Sequence, residues 1–153
     1  MREIMESVPA KVLTTTLLLG LFTIAEAAPP AKRVMLPVRV VYQLNEGGEQ
    51  TTRALRNIRN QLEDFPRTRV VVVAYGAGID FLIEGATDSG GYPYELLVQP
   101  LIEGSVEFKV CERTLKERGI EKDKILKEAR FVSSGAAELA RLQFEEGYAY
   151  LKP

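Results

Sequence analysis

Arg69-Val70-Val71-Val72-Val73-Ala74 is a run of β-forming apolar residues with a charge only at its front. A strand covered on one face alternates apolar with polar residues. A strand that is apolar at every position is covered on both faces, as in a parallel sheet sandwiched between helices. The flanking sequence has the alternation such a sheet requires. Upstream, Val38 to Leu44 is rich in β-branched residues and reads as a strand, ended by the loop Asn45-Glu46-Gly47-Gly48. Between the two strands, 51–65 places Leu55, Ile58, Leu62 and Phe65 at helical spacings, and Pro66 closes the helix.

Downstream, Tyr75-Gly76-Ala77-Gly78 reads as a tight turn into a short helix over 79–83. A loop at 87–93 leads to a helix over 95–102 that contains Pro100 and stops at Gly104. Val106 to Cys111 alternates as a third strand, and Thr114 to Gly119 is a short helix stopped by glycine. Ala129 to Ser133 is a fourth strand. Ser134-Gly135 opens a helix with Leu139, Ala140 and Leu142 inward, and Tyr148 to Leu151 is a fifth strand. The fold class expected is α/β, a flavodoxin-like three-layer sandwich with a five-stranded parallel sheet in the order 2-1-3-4-5. That order puts a ligand crevice between strands one and three, where Cys111 and the Asn45 to Gly48 loop lie.

The beginning of the chain reads differently. Arg2 and Lys11 precede an apolar run from Val12 to Ile24, which ends in the small-residue pattern Ala25-Glu26-Ala27. This is the layout of a secretory signal peptide over residues 1–27, and the run is shorter than the roughly 20 residues of a membrane span. Residues 28–36, with Pro29 and Pro30, form an extended lead to a domain over 37–153. The expectation is a periplasmic or secreted protein with no membrane span after processing.

Composition narrows the chemistry. At 153 residues the chain has room for one core. Its 20 basic and 21 acidic residues provide no basic field for nucleic acid. It has no histidine, which excludes a Cys-His dyad, a Ser-His-Asp triad and His-ligated zinc. Its single cysteine, Cys111, excludes an intrachain disulfide. A thiol at the carboxyl end of a strand faces the first amides of the following helix, here Glu112 to Thr114, and Arg113 adds a positive charge; both favour the thiolate. The bland alternative is a small buried hydrophobe, the commonest fate of a free cysteine.

Other positions carry similar pairs of readings. Gly76 and Gly78 either offer amides to an anion or serve the geometry of a turn. Asn45 and Glu46 either line the pocket or are ordinary turn chemistry. Ser133-Ser134-Gly135 is most simply a helix cap. Arg53, Arg56 and Arg59 share one side of the first helix, as a solvated face or an anion site. Tyr92, Tyr94, Tyr148 and Tyr150 are core or subunit contacts. A nucleotide or flavin site is disfavoured, because Glu46 and Glu49 stand where phosphate would sit.

Taken in order, Asn45-Glu46-Gly47, Gly76-Ala77-Gly78, the stretch from Gly104 to Gly119, Val132 to Gly135 and Gly147 to Pro153 make the sequence resemble the DsrE/DsrF-like sulfur-relay family from about Val38 onward. The resemblance implies a homo-oligomer, trimer or hexamer. It implies that Cys111 carries sulfane sulfur as a persulfide between a sulfur donor and an acceptor protein or small thiol, with no cofactor and no metal. Asn45, Glu46, Gly47, Gly76, Gly78 and Arg113 are the expected substrate-binding neighbours. The competing expectation is a non-catalytic oligomeric module that binds a small anion or metabolite.

Overall fold

The computed structural model describes residues 37–153. The signal peptide expected at 1–27 and the lead at 28–36 lie outside the described residues. The elements are β1 (Arg39–Leu44), α1 (Glu49–Asp64), β2 (Arg69–Ala74), a 3-10 segment (Gly76–Leu82), α2 (Glu95–Glu103), β3 (Glu107–Cys111), α3 (Glu112–Arg118), a 3-10 turn (Lys122–Lys124), β4 (Arg130–Val132), α4 (Gly135–Glu146) and β5 (Ala149–Leu151). All strand pairings are parallel, and the five-stranded α/β architecture is the one expected.

Within that architecture the strands lie in the order β4-β3-β2-β1-β5. The expected 2-1-3-4-5 would put β1 between β2 and β3; here β2 lies between β1 and β3. The reason is visible in β2 itself. Val70 to Ala74 are all buried, and an unbroken apolar strand left at a sheet edge would be a template for aggregation. The centre of the sheet gives it helices on both faces and a strand on either side.

This order also sets the layers. Stepping β1 to β2 to β3 to β4 moves in one direction, so right-handed crossovers lay α1, α2 and α3 on a single face. The step from β4 back to β5 runs the other way and puts α4 on the opposite face. The core divides accordingly. Val40, Tyr42, Leu44, Val70 and Val72 pack with Leu55 and Ile58 of α1, Val98 of α2 and Leu115 of α3. Val41, Val71 and Val73 pack against Leu139 and Leu142 of α4. In the larger layer, Phe81 meets Tyr94 and Phe108 edge to face at centroid distances of 6.1 and 5.9 Å.

Several side chains depart from the periodic reading. Phe65 is 64% exposed, because it caps α1 in a non-helical conformation (φ −131°) and so leaves the apolar stripe. Ala140 faces solvent while Leu139 and Leu142 point inward. Tyr94 is core and Tyr92 is exposed. Ser134 is the cap of α4 that the sequence suggests, its Oγ accepting from Ala137 N–H.

Among the described residues α4 is the one helix on its face of the sheet, and that face keeps charges. Lys109 of β3 donates to Glu138 Oε1 at 2.6 Å, and Arg141 grips both oxygens of the same carboxylate at 2.8 and 2.9 Å. Arg141 also donates to Glu146 at 2.7 Å. Hydrogen bonding to Arg141 outweighs burial and, with Lys109, holds the Glu138 carboxyl down at about 2.

Two outcomes are expected. A Cβ at Gly78 would lie 2.2 Å from the Leu44 carbonyl oxygen. Gly78→Ala therefore lowers unfolding free energy by about 3 kcal/mol in urea titration, and a loss below about 1 kcal/mol would mean that the turn shifts freely. Glu138, depressed in the folded state, contributes stability that is complete above the ordinary carboxylate range and lost as pH falls towards about 2. Glu138→Gln removes about 1–2 kcal/mol of it at neutral pH after solvent screening, and flattens the acid limb of stability against pH; an unchanged limb would contradict the assignment.

Candidate functional site

The alternation of β3 sends Phe108 and Val110 into the larger core and Lys109 and Cys111 to the α4 side. Cys111 is the last residue of β3 and the N-cap of α3, with extended backbone (φ −74°, ψ 115°). The chain turns into helix immediately after it, so the first N–H groups of α3 point back towards the sulfur. Cys111 is 5% exposed.

The shell around Sγ is polar. Burial pushes the thiol up, but the N–H of Thr114, the N–H of Gly135, the hydroxyl of Thr114 and the N–H of Arg113 outweigh it. The result lies below the ordinary thiol value. No single donor closes an ideal cap onto the sulfur, so the effect is the sum of converging dipoles. Thr114 is placed for this role by a second bond. Its Oγ1 accepts from Gly76 N–H at 3.0 Å, which leaves the hydroxyl proton free to turn to the sulfur. Gly135 reaches the site because it lacks a side chain: a Cβ there would sit 2.9 Å from Cδ1 of Tyr75.

Tyr75 is the first residue after β2, and reaches the site because β2 lies between β1 and β3. Its hydroxyl accepts from Gln43 Nε2, and Gln43 Oε1 accepts from Tyr150. Burial raises the Tyr75 phenol, and the neighbouring Tyr150 and Cys111 add to the rise against Lys152 and Gln43, so it stays a neutral donor. Gln43 Nε2 also reaches Asn45 Oδ1 at 3.3 Å.

Each residue expected from the sequence has a definite place. The N–H groups of Asn45 and Glu46 both donate to Gln50 Oε1, at 2.9 and 2.8 Å; Gln50 is 2% exposed and its Nε2 lies 3.5 Å from Pro153 O. The Glu46 carboxylate pairs with Lys152 at 2.9 Å, which lowers the acid and raises the amine. Gly47 packs on the 76–80 turn, beside Ala77 O and Asp80. Gly76 has φ 55°, a conformation suited to glycine, and its carbonyl accepts from Arg118 at 3.0 Å. The N–H groups of Gly76 and Gly78 are taken by Thr114 and by the Tyr75 carbonyl, so the turn has no open anion cradle there. Arg113 is exposed, and what it brings to the sulfur is its backbone N–H.

The structure thus joins Gly76 to Cys111 through Thr114, and gathers Asn45, Glu46 and Gly47 around Gln50 and the C-terminal tail. Gln43 and Tyr75 bridge the two groups. Sequence reading missed Thr114 as a side chain, Tyr75, Gln43, Gly135 as a sulfur neighbour, and Lys152. Among the described residues no cluster of His, Cys, Asp and Glu is placed to hold a metal ion, and no helix is long and apolar enough to cross a membrane.

A parallel α/β domain with its single thiol at the β3–α3 junction defines a class, and comparison with known proteins identifies it. Residues 38–153 match the model of the DsrE/DsrF-like family, and the chain belongs to that family, which is connected in general with sulfur relay. A solved structure of a protein of unknown function, MTH1491 from Methanobacterium thermoautotrophicum, is 32% identical, with a TM-score of 0.68 over 76% of this chain and 99% of that one. The fold is shared by the ychN protein from E. coli, at 19% identity and a TM-score of 0.56 over 76% of this chain and 97% of that one. No curated protein matches the chain.

Thr114→Val removes a donor to the sulfur and the acceptor of Gly76 N–H. The Cys111 pKa is expected to rise, seen as a shift to higher pH in the rate of alkylation by iodoacetamide. An unmoved profile would show that the amides alone set the thiol.

Proposed function

We propose that Cys111 is a sulfane-sulfur carrier. The observation that supports this reading is the shell of donors, from Thr114, Gly135 and Arg113, that lowers the thiol despite its burial. In the first step the Cys111 thiolate attacks the outer sulfur of a persulfide or polysulfide. The donor's S–S bond breaks, its electron pair leaves with the departing thiolate, and a new S–S bond forms on Cys111. In the second step an acceptor thiolate takes the outer sulfur and returns Cys111 as thiolate. Neither step changes the total oxidation state, so neither needs an outside oxidant or reductant. The Tyr75 hydroxyl accepts from Gln43 and keeps its own proton, which suits it to hydrogen-bond an anionic outer sulfur. Part of this proposal is that the chain is exported and acts as a trimer or hexamer.

A second reading is favoured by one observation, the 5% exposure of Cys111. On that reading the chain is a non-catalytic oligomeric module, and the thiol is packing.

Incubation with polysulfide followed by intact-mass measurement separates the two. The carrier gains one sulfur per chain, loses it to added thiol, and gains none as Cys111→Ser. An unmodified thiol across several donors, with Cys111→Ser keeping assembly and stability, would leave the second reading.

A further inference from the structure

A second site lies on the far side of the sheet from the α4 layer, between α1 and α2. Leu55 and Leu62 of α1 face Leu96, Leu97 and Leu101 of α2 across a groove of about 540 Å³. Leu55 and Leu101 form its buried floor, whereas Leu96 is 56% exposed on its wall. The groove runs along α1 from Thr52 to Glu63, a length of about 16 Å at the helical rise, or that of an extended alkyl chain of about a dozen carbons. At its Thr52 end it opens into a polar hollow of about 360 Å³, lined by Glu49, Arg53, Arg56 and Ser89, and Thr52 and Arg56 belong to both cavities.

The charges at this junction do not cancel. Arg53 is paired with Glu49 and Arg59 with Glu63, at 4.0 and 3.9 Å. Among the described residues Arg56 has no carboxylate partner. A single unmatched guanidinium at the mouth of an apolar channel calls for one negative charge on a narrow apolar body. A neutral chain would leave Arg56 unanswered, and a dianion would exceed the one cation left unpaired among the described residues that line the two cavities.

We propose that this groove binds a free, linear fatty carboxylate, its head on Arg56 and its chain along the leucines. The site is separate from Cys111 and independent of the sulfur-carrier reading. It gives the Arg53, Arg56 and Arg59 face of α1 a function that a solvated helix surface lacks.

Isothermal titration of the purified full-length chain with octanoate, decanoate, dodecanoate and tetradecanoate, each below its micelle concentration, tests it. One molecule binds per chain, with affinity rising about two- to fourfold per methylene. Dodecanol, which lacks the charge, binds about tenfold more weakly than dodecanoate. Arg56→Gln, an exposed substitution, erases that tenfold advantage and leaves dodecanol unchanged, while Leu97→Arg abolishes both. Cys111→Ser retains binding. Equal affinity for the alcohol and the acid, an Arg56→Gln variant that binds dodecanoate as before, or no saturable heat because a second copy fills the groove would each overturn the proposal.

Discussion

Burial of β2 on both faces is the constraint from which the rest follows. Five consecutive small apolar side chains, Val70 to Ala74, make a strand that is stable only under helices on each side. Once β2 is central, the direction of the crossovers is fixed, three helices share one face, and α4 is left to cover the other. The site inherits this asymmetry. Cys111 lies on the thinly covered face, where polar groups from α3, α4 and the end of β2 can converge, and not in the aliphatic layer under α1.

The same constraint shows how far the sequence could be read. The valine run, the glycines that end α3 and α4, and the Ser134 cap are local signals, and each marks an element within a residue or two of its place. Strand order is a non-local property. The 2-1-3-4-5 order rested on analogy, although the valine run already argued against an edge position for β2. That choice carried over to the site. With β1 beside β3, the Asn45 loop would border the thiol directly; with β2 between them, Tyr75 takes that position and Asn45 is held off by Gln43. Thr114 was illegible for another reason. Its role depends on a hydrogen bond from Gly76, 38 residues away, and no helical period encodes such a contact.

Glycine at 78 and 135 serves close approach, and the two residues act on the site from opposite sides. Gly78 lets the turn after β2 press against the end of β1, which fixes where Tyr75 leaves the sheet. Gly135 lets the Tyr75 ring lie on the first turn of α4, which brings an N–H to the sulfur. The position of the ring is therefore determined at both ends. An error of one methyl group at either glycine would displace it, so the electrostatics of Cys111 depend on backbone packing as much as on charge.

Burial and ionisation ordinarily oppose each other, and at Cys111 the balance is decided by what does the burying. Aliphatic walls would raise the thiol and leave it inert. Here the neighbours are amides of α3 and α4 and the Thr114 hydroxyl, whose dipoles favour the thiolate against the effect of burial. The end of the chain touches that cover only through Gln43, which bonds both Tyr150 and Tyr75. β5 is three exposed residues on the outer side of β1, and its hold is supplemented by side chains: Tyr150 on Gln43, Lys152 on Glu46, and Gln50 on Pro153. Short edge strands open at lower free energy than central ones. Cys111 itself ends β3, with β2 and β1 between it and β5, so its cover is set by α3, the first turn of α4 and the turn after β2, and the end of the chain acts on it only at one remove, through Tyr150, Gln43 and Tyr75.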